Sequence, residues 1–223
     1  MTTTDPATVR ELRRRWKPRK NDPAIKSLGI RLHRAWSWMT RLEELDEVGL
    51  SSEDTHLIFS WIALNSLYGT WDPVRQEPEA DRASLDRFNG RLFTLDQDKR
   101  LESMLVEHKK LVKAIVSDEH LSKYFWRDPG EGEAKRARYA GNKTNSLYVE
   151  KRYPVILDMV LQRVYLARCQ LVHGAATYKS RLNRTALRRT GRFLHLYLIE
   201  ASLILIDHAG ADGWDDLCYP PTQ

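Results

Sequence analysis

The chain has 223 residues, 42% of them hydrophobic and 30% charged, with a formal net charge of +6. It is long enough to bury a core without disulfide or metal staples, and this balance excludes wholesale disorder and a collagen-like fibre. The longest nearly apolar run, residues 193–206, is interrupted by His195 and Glu200 and is too short to cross a bilayer, so no membrane association is expected.

The opening Met-Thr-Thr-Thr-Asp-Pro has no apolar segment behind it, so a secretory signal is not expected. Cys169 and Cys218 are read as free thiols, which together with that opening points to a cytoplasmic protein. A basic arm over residues 1–28 leads into Leu32, Ala35, Trp36, Met39 and Leu42, whose three- and four-residue spacing predicts an amphipathic helix ending near Gly49. Ser51 and Asp54 form a capping pair for a second helix with Ile58, Trp61, Asn65 and Tyr68 on one face, stopped by Gly69.

Two prolines make residues 71–78 a loop, and a short helix is predicted over 81–92. Thr94 and Gln97 then cap a helix reaching Ser117 through Leu101, Leu105, Leu111, Val112, Ile115 and Val116, with a shorter one over 119–126. Residues 127–146 hold many Gly, Lys, Arg and Asn and almost no aliphatics, which predicts a long exposed loop. Apolar residues crowd every face from Leu147 to Val172, with Pro154 marking a first turn or kink and Gly174 the stop. The last helix is expected over 184–208, with Gly191 as a point of division. No alternating strand pattern of useful length is present. The expected fold is all-α, a single antiparallel helical bundle over residues 29–210, followed by a C-terminal tail over 211–223.

Charge is segregated along the chain. Residues 123–192 carry 16 Lys or Arg against 5 Asp or Glu, and residues 8–20 carry 7 against 1. Such segregation favours a polyanionic partner, because cations that neutralise phosphates release condensed counterions; a solvated surface is the competing reading. Trp16, Tyr124, Trp126, Tyr139, Tyr148, Tyr153 and Tyr178 are interleaved with this basic material and would stack on unpaired bases only if exposed.

Phosphate-loop, nucleophile-elbow and zinc-spacing signatures are all missing, so no metal and no cofactor are expected. The segment Leu166-Ala-Arg-Cys-Gln-Leu-Val-His-Gly174 stands out, with Arg168 five positions before His173 at a helix end. Five steps of 100° set the two residues about 140° apart on an ideal helix. They converge only if the helix stops at Gly174, or if a two-fold axis brings a second pair across.

The stretch Tyr165-Leu-Ala-Arg-Cys-Gln-Leu-Val-His-Gly-Ala-Ala-Thr-Tyr-Lys-Ser-Arg-Leu-Asn-Arg184, with Phe59-Ser-Trp-Ile-Ala-Leu-Asn-Ser-Leu-Tyr-Gly69, resembles the HEPN (higher eukaryotes and prokaryotes nucleotide-binding) proteins of the stand-alone bacterial type. The resemblance spans roughly residues 52–208. It implies a dimerising helical bundle and, in many members, a metal-independent endoribonuclease of toxin–antitoxin or antiviral systems, with an antitoxin or regulatory protein as a further partner. Cys169 stands where many active members carry Asn, Asp or His. Ala175 stands where the branch modified by a nucleotidyltransferase carries Tyr.

Residue chemistry fits that expectation. An imidazole at His173 can take the proton from a ribose 2′-hydroxyl, and the Arg168 guanidinium can stabilise the added negative charge on phosphorus. Asn65 and Cys169 are read as supporting residues, and Tyr178, Lys179 and Arg181 as RNA-binding. The alternative is a catalytically silent module of the same fold that binds RNA or a protein partner.

Overall fold

The computed structural model describes residues 7–175, 177–178, 183–214, 216–219 and 221. It is an all-α helical bundle, in which the described residues also form one small hairpin pairing Trp71–Asp72 (β1) with Glu77–Pro78 (β2) inside the segment expected to be a loop.

Within the basic arm, the described residues include a helix tied to the bundle. Thr8 and Glu11 form a reciprocal capping box that starts α1 (Val9–Trp16), and Val9, Leu12 and Trp16 lie on one face and are buried. Arg19 donates to the Ile206 carbonyl (3.1 Å), fastening the segment after α1 to the end of the last helix. The predicted stripe from Leu32 to Leu42 lies on α2 (Lys26–Glu47), and Gly49, with φ +68°, supplies the left-handed residue just beyond its end. In α3 (Glu53–Tyr68) the cap is Ser52, whose hydroxyl accepts from the Thr55 amide, one position later than the sequence pairing of Ser51 with Asp54. The two helices run antiparallel: His56 meets Asp46 at 2.8 Å near their connection, and Arg31 meets the Leu67 carbonyl at 3.0 Å at the far end.

The segment after β2 folds as α4 (Asp81–Leu95). The single helix expected up to Ser117 is broken at His108 into α5 (Arg100–Glu107) and α6 (Lys109–Val116). Over 119–126 only Glu119–Leu121 is helical, as one 3₁₀ turn. The larger correction is the exposed loop expected over 127–146, most of which is α7 (Glu131–Val149). Its buried stripe is Ala134, Ala137, Gly141 and Thr144, continued by Leu147 and Tyr148. Small residues at helical spacing bury a face without the aliphatic signal that a hydrophobicity pattern detects. A Cβ at Gly141 would fall 2.8 Å from the Ser117 Cβ, so α7 approaches the end of α6 closely only because position 141 has no side chain.

Pro154 sits in the first turn of α8 (Tyr153–Val172), where its missing N–H costs nothing. The last helix, α9 (Arg184–Asp207), is continuous through Gly191, which lets the backbone of α3 at His56 and Leu57 approach. From Phe193 to Ile206 it is buried on nearly every side, as the axis of the bundle, and it packs against α1, α3, α4, α5, α6 and α8. Arg184 and Asp54 join the first turns of α9 and α3 through bonds of 2.5 and 2.9 Å.

Beyond α9, Trp214 and Leu217 are tied to the bundle. Trp214 is buried against Phe88 with the Arg91 guanidinium over its ring, and Leu217 bridges to Thr70. Arg31, itself buried, donates to the carbonyls of Leu67, Gly69, Trp214 and Asp216, tying the end of α3 to this segment.

Candidate functional site

The Arg-x4-His stretch occupies the last two turns of α8. His173 is the C-cap residue, its amide donating to the Cys169 carbonyl (2.9 Å), and Gly174 follows with φ +71°. The Ala175 amide then closes on the Gln170 carbonyl at 2.9 Å. The helix thus ends at the predicted glycine, and His173 is left exposed to solvent.

Arg168 has a different setting. Its guanidinium carbon lies 5.6 Å from the Trp61 ring centroid and 5.8 Å from that of Tyr165, and the two rings meet edge to face at 5.7 Å. Its Nη1 is 3.9 Å from the Cys169 sulfur. Arg168 and Asn65 line one cavity of about 270 Å³ together with Arg31, Arg34 and Cys218. Arg34 donates to the carbonyls of Cys218 (2.9 Å) and Tyr219 (2.6 Å), so the post-α9 segment forms one wall.

Beside Asn65 lies a half-buried polar contact. Tyr68 donates to Asp81 at 3.0 Å, and the Asn65 amide reaches the same carboxylate oxygen at 3.5 Å. Burial first, and then the Asp81 charge, push the Tyr68 hydroxyl far above its ordinary range, so it stays a neutral donor. The Tyr165 hydroxyl is also raised, first by its hydrogen bond with the Cys169 side chain. Trp61 separates this cavity from a second one of about 240 Å³ between α4 and α8, bordered by Leu85, Leu161, Asp86 and Asp158.

Arg168 thus shares a cavity with Asn65 and a 3.9 Å contact with Cys169. Among the described residues no hydrogen bond or ion pair joins Arg168 to His173. Tyr178 is exposed, and Lys179 and Arg181 lie outside the described residues. No group of three or more His, Cys, Asp or Glu able to hold a metal occurs among the described residues, and both cysteines are free.

Sequence reasoning missed Tyr165 as a partner of Arg168, although its place three residues earlier on the same helix was a usable signal. Arg31 and Arg34 gave none: they reach the cavity only because the segment after α9 folds back onto α2.

The aromatics interleaved with basic residues divide into two groups. Trp16, Tyr148 and Tyr153 are buried, whereas Tyr124, Trp126, Tyr139 and Tyr178 are exposed. Much of the accompanying charge is paired, as in Arg136–Glu133, Arg138–Glu131 and Arg188–Glu53. Among the described residues of 123–192, Lys123, Arg127, Lys135, Lys143, Lys151 and Arg192 are exposed cations outside any ion pair.

Comparison with protein-family models, curated proteins and solved structures finds no match to this chain.

Proposed function

We propose that this protein acts on RNA as a HEPN-like, metal-independent endoribonuclease, with His173 moving the proton and Arg168 stabilising charge. The observation that carries this reading is the position of His173: an imidazole exposed at a glycine-ended helix terminus, where a phosphodiester has access to it. Exposed aromatics and unpaired cations on neighbouring segments supply the remaining needs of RNA binding, stacking and phosphate neutralisation.

In this reaction the ribose 2′-hydroxyl attacks the adjacent phosphorus. His173 takes the 2′-proton, the new O–P bond forms as the bond to the 5′-oxygen breaks, and the 5′-oxygen leaves with a proton from the second imidazole or from water. A guanidinium beside the phosphorane oxygens offsets their charge. No hydrogen bond joins Arg168 to His173 among the described residues, and the reading takes a two-fold dimer to bring a second Arg168–His173 pair across. A toxin or antiviral role, and an antitoxin partner, extend the reading on the strength of the sequence resemblance.

A second reading, a silent module binding RNA or protein, is favoured by one observation: the Arg168 guanidinium is engaged by the Trp61 and Tyr165 rings. One experiment separates the two. Purified protein is incubated with a mixed RNA pool in EDTA, beside a substrate carrying 2′-deoxyribose at the scissile position. The enzyme gives 2′,3′-cyclic phosphate and 5′-hydroxyl ends, spares the deoxy substrate, and loses cleavage but little affinity as His173→Ala. Tight binding without cutting favours the silent module, and equal cutting of the deoxy substrate defeats the assigned chemistry.

A further inference from the structure

The segment Lys123-Tyr-Phe-Trp-Arg127 follows the 3₁₀ turn and precedes α7. It carries two large aromatics that the fold does not bury: Tyr124 is 47% exposed and Trp126 53%. The polar atom of Trp126 is nevertheless satisfied within the protein, since its indole Nε1 donates to the His120 carbonyl at 2.9 Å. Phe125 and His120 flank the indole at centroid distances of 5.4 and 6.0 Å. The ring is thus fixed in orientation, with its N–H tied down and about half its surface open to solvent. Hydrophobic burial does not account for such a placement, whereas a stacking surface requires it.

The anchor also locates this ring relative to the motif. The His120 carbonyl that accepts from Trp126 accepts as well from the Gln170 amide, at 2.6 Å. Gln170 lies on the last turn of α8, three residues before His173, and its side-chain oxygen accepts from Asn183 at the start of α9 (3.3 Å). One carbonyl oxygen therefore joins the exposed indole to the helix turn that ends in His173. Exposed cations flank the aromatics on both sides: the Lys123 ammonium lies 4.9 Å from the Tyr124 ring centroid, and Arg127 follows Trp126. Of the nearby acids, Asp118 is largely shielded beside Arg189 and Glu119 faces Arg138, while Asp128 follows Arg127 in exposed chain and Lys123 borders the α4–α8 cavity that Asp86 and Asp158 also line.

We propose that Trp126, pinned through His120 to Gln170, is a stacking site for an unpaired nucleobase of single-stranded RNA beside His173, with Lys123 and Arg127 placed for the flanking phosphates. The proposal rests on the RNA reading above and deepens it: the substrate is single-stranded at the site of action, because a base within a duplex offers no free face.

The test uses the full chain with labelled single-stranded oligoadenylate, single-stranded oligouridylate and a duplex RNA, measured by fluorescence anisotropy. Trp126→Ala weakens oligoadenylate binding about tenfold, the effect of losing one stacked base, and leaves duplex binding and the salt slope unchanged. Trp126→Phe retains most of the affinity because a ring remains, and the RNA-induced tryptophan quenching seen in the wild type is lost in this variant. That measurement decides the matter if the alanine variant does not fold. Wild-type RNA binding with an unaltered Trp126→Ala affinity overturns the stacking site while the RNA reading stands. Equal weakening on single-stranded and duplex RNA overturns it too. A wild-type chain that binds no RNA at low salt removes both.

Discussion

The Arg168 guanidinium lies over the Trp61 ring at 5.6 Å, so the arginine of the Arg-x4-His motif is held by α3, while the motif histidine stands in solvent at the end of α8. The two residues should therefore respond differently to substitution. Arg168→Ala removes a partly desolvated cation–π contact and should cost about 1 kcal/mol in urea unfolding. His173→Ala, at an exposed position, should stay within about 0.5 kcal/mol of wild type. Loss of RNA cleavage in His173→Ala at unchanged stability would then report chemistry alone.

Arg31 ties the segment after α9 to the end of α3. Its guanidinium donates to four backbone carbonyls from two distant parts of the chain. Arg31→Met leaves those acceptors without a donor and should lower stability by about 3 kcal/mol or more. Limited proteolysis should cut the variant after residue 210 at concentrations that spare the wild type. Resistance of the variant there would show that Trp214 and Leu217 hold the segment without it.

Gly141→Ala sets two effects against each other. Helix propensity favours alanine by about 1 kcal/mol. A Cβ at this position, however, meets the Ser117 side chain well inside contact distance. The clash should win, giving a net loss of about 1–3 kcal/mol by thermal or urea unfolding. Adding Ser117→Gly should restore part of that loss, because it removes both colliding side-chain atoms.

His195 gives stability a pH dependence of defined sign. Burial in α9 first, and then the neighbouring His56, depress it below its ordinary 6.5, while Asp46 opposes this. The unfolded chain therefore binds this proton more readily than the folded one, and the contribution to stability falls as pH drops through 6.5. Half-buried Glu200, raised first by desolvation, acts oppositely in the carboxylate range. Comparing wild type with His195→Gln between pH 7 and 6 isolates the histidine: the slope should be shallower in the variant, and parallel slopes would refute the assignment.

The sequence by itself determined what depends on local spacing. The apolar stripe of α2, the first-turn proline of α8 and the glycine that ends it follow from helical periodicity and backbone stereochemistry, so they were legible without tertiary knowledge. The place of Arg168 and His173 at one helix end was legible for the same reason, as was the all-α character of the chain. Only the tertiary structure decided what depends on partners distant in the chain. Residues 131–149 bury small side chains against α6, so their helix carries no aliphatic stripe in the sequence. Gly191 reads as a break, yet it serves as a close approach of α9 to α3. Trp61 meets the Arg168 guanidinium across more than a hundred positions, and a carbonyl at His120 fixes Trp126 beside α8. Periodicity records which face of a helix is buried. It does not record which residue lies opposite, because the packing of the whole bundle sets those contacts.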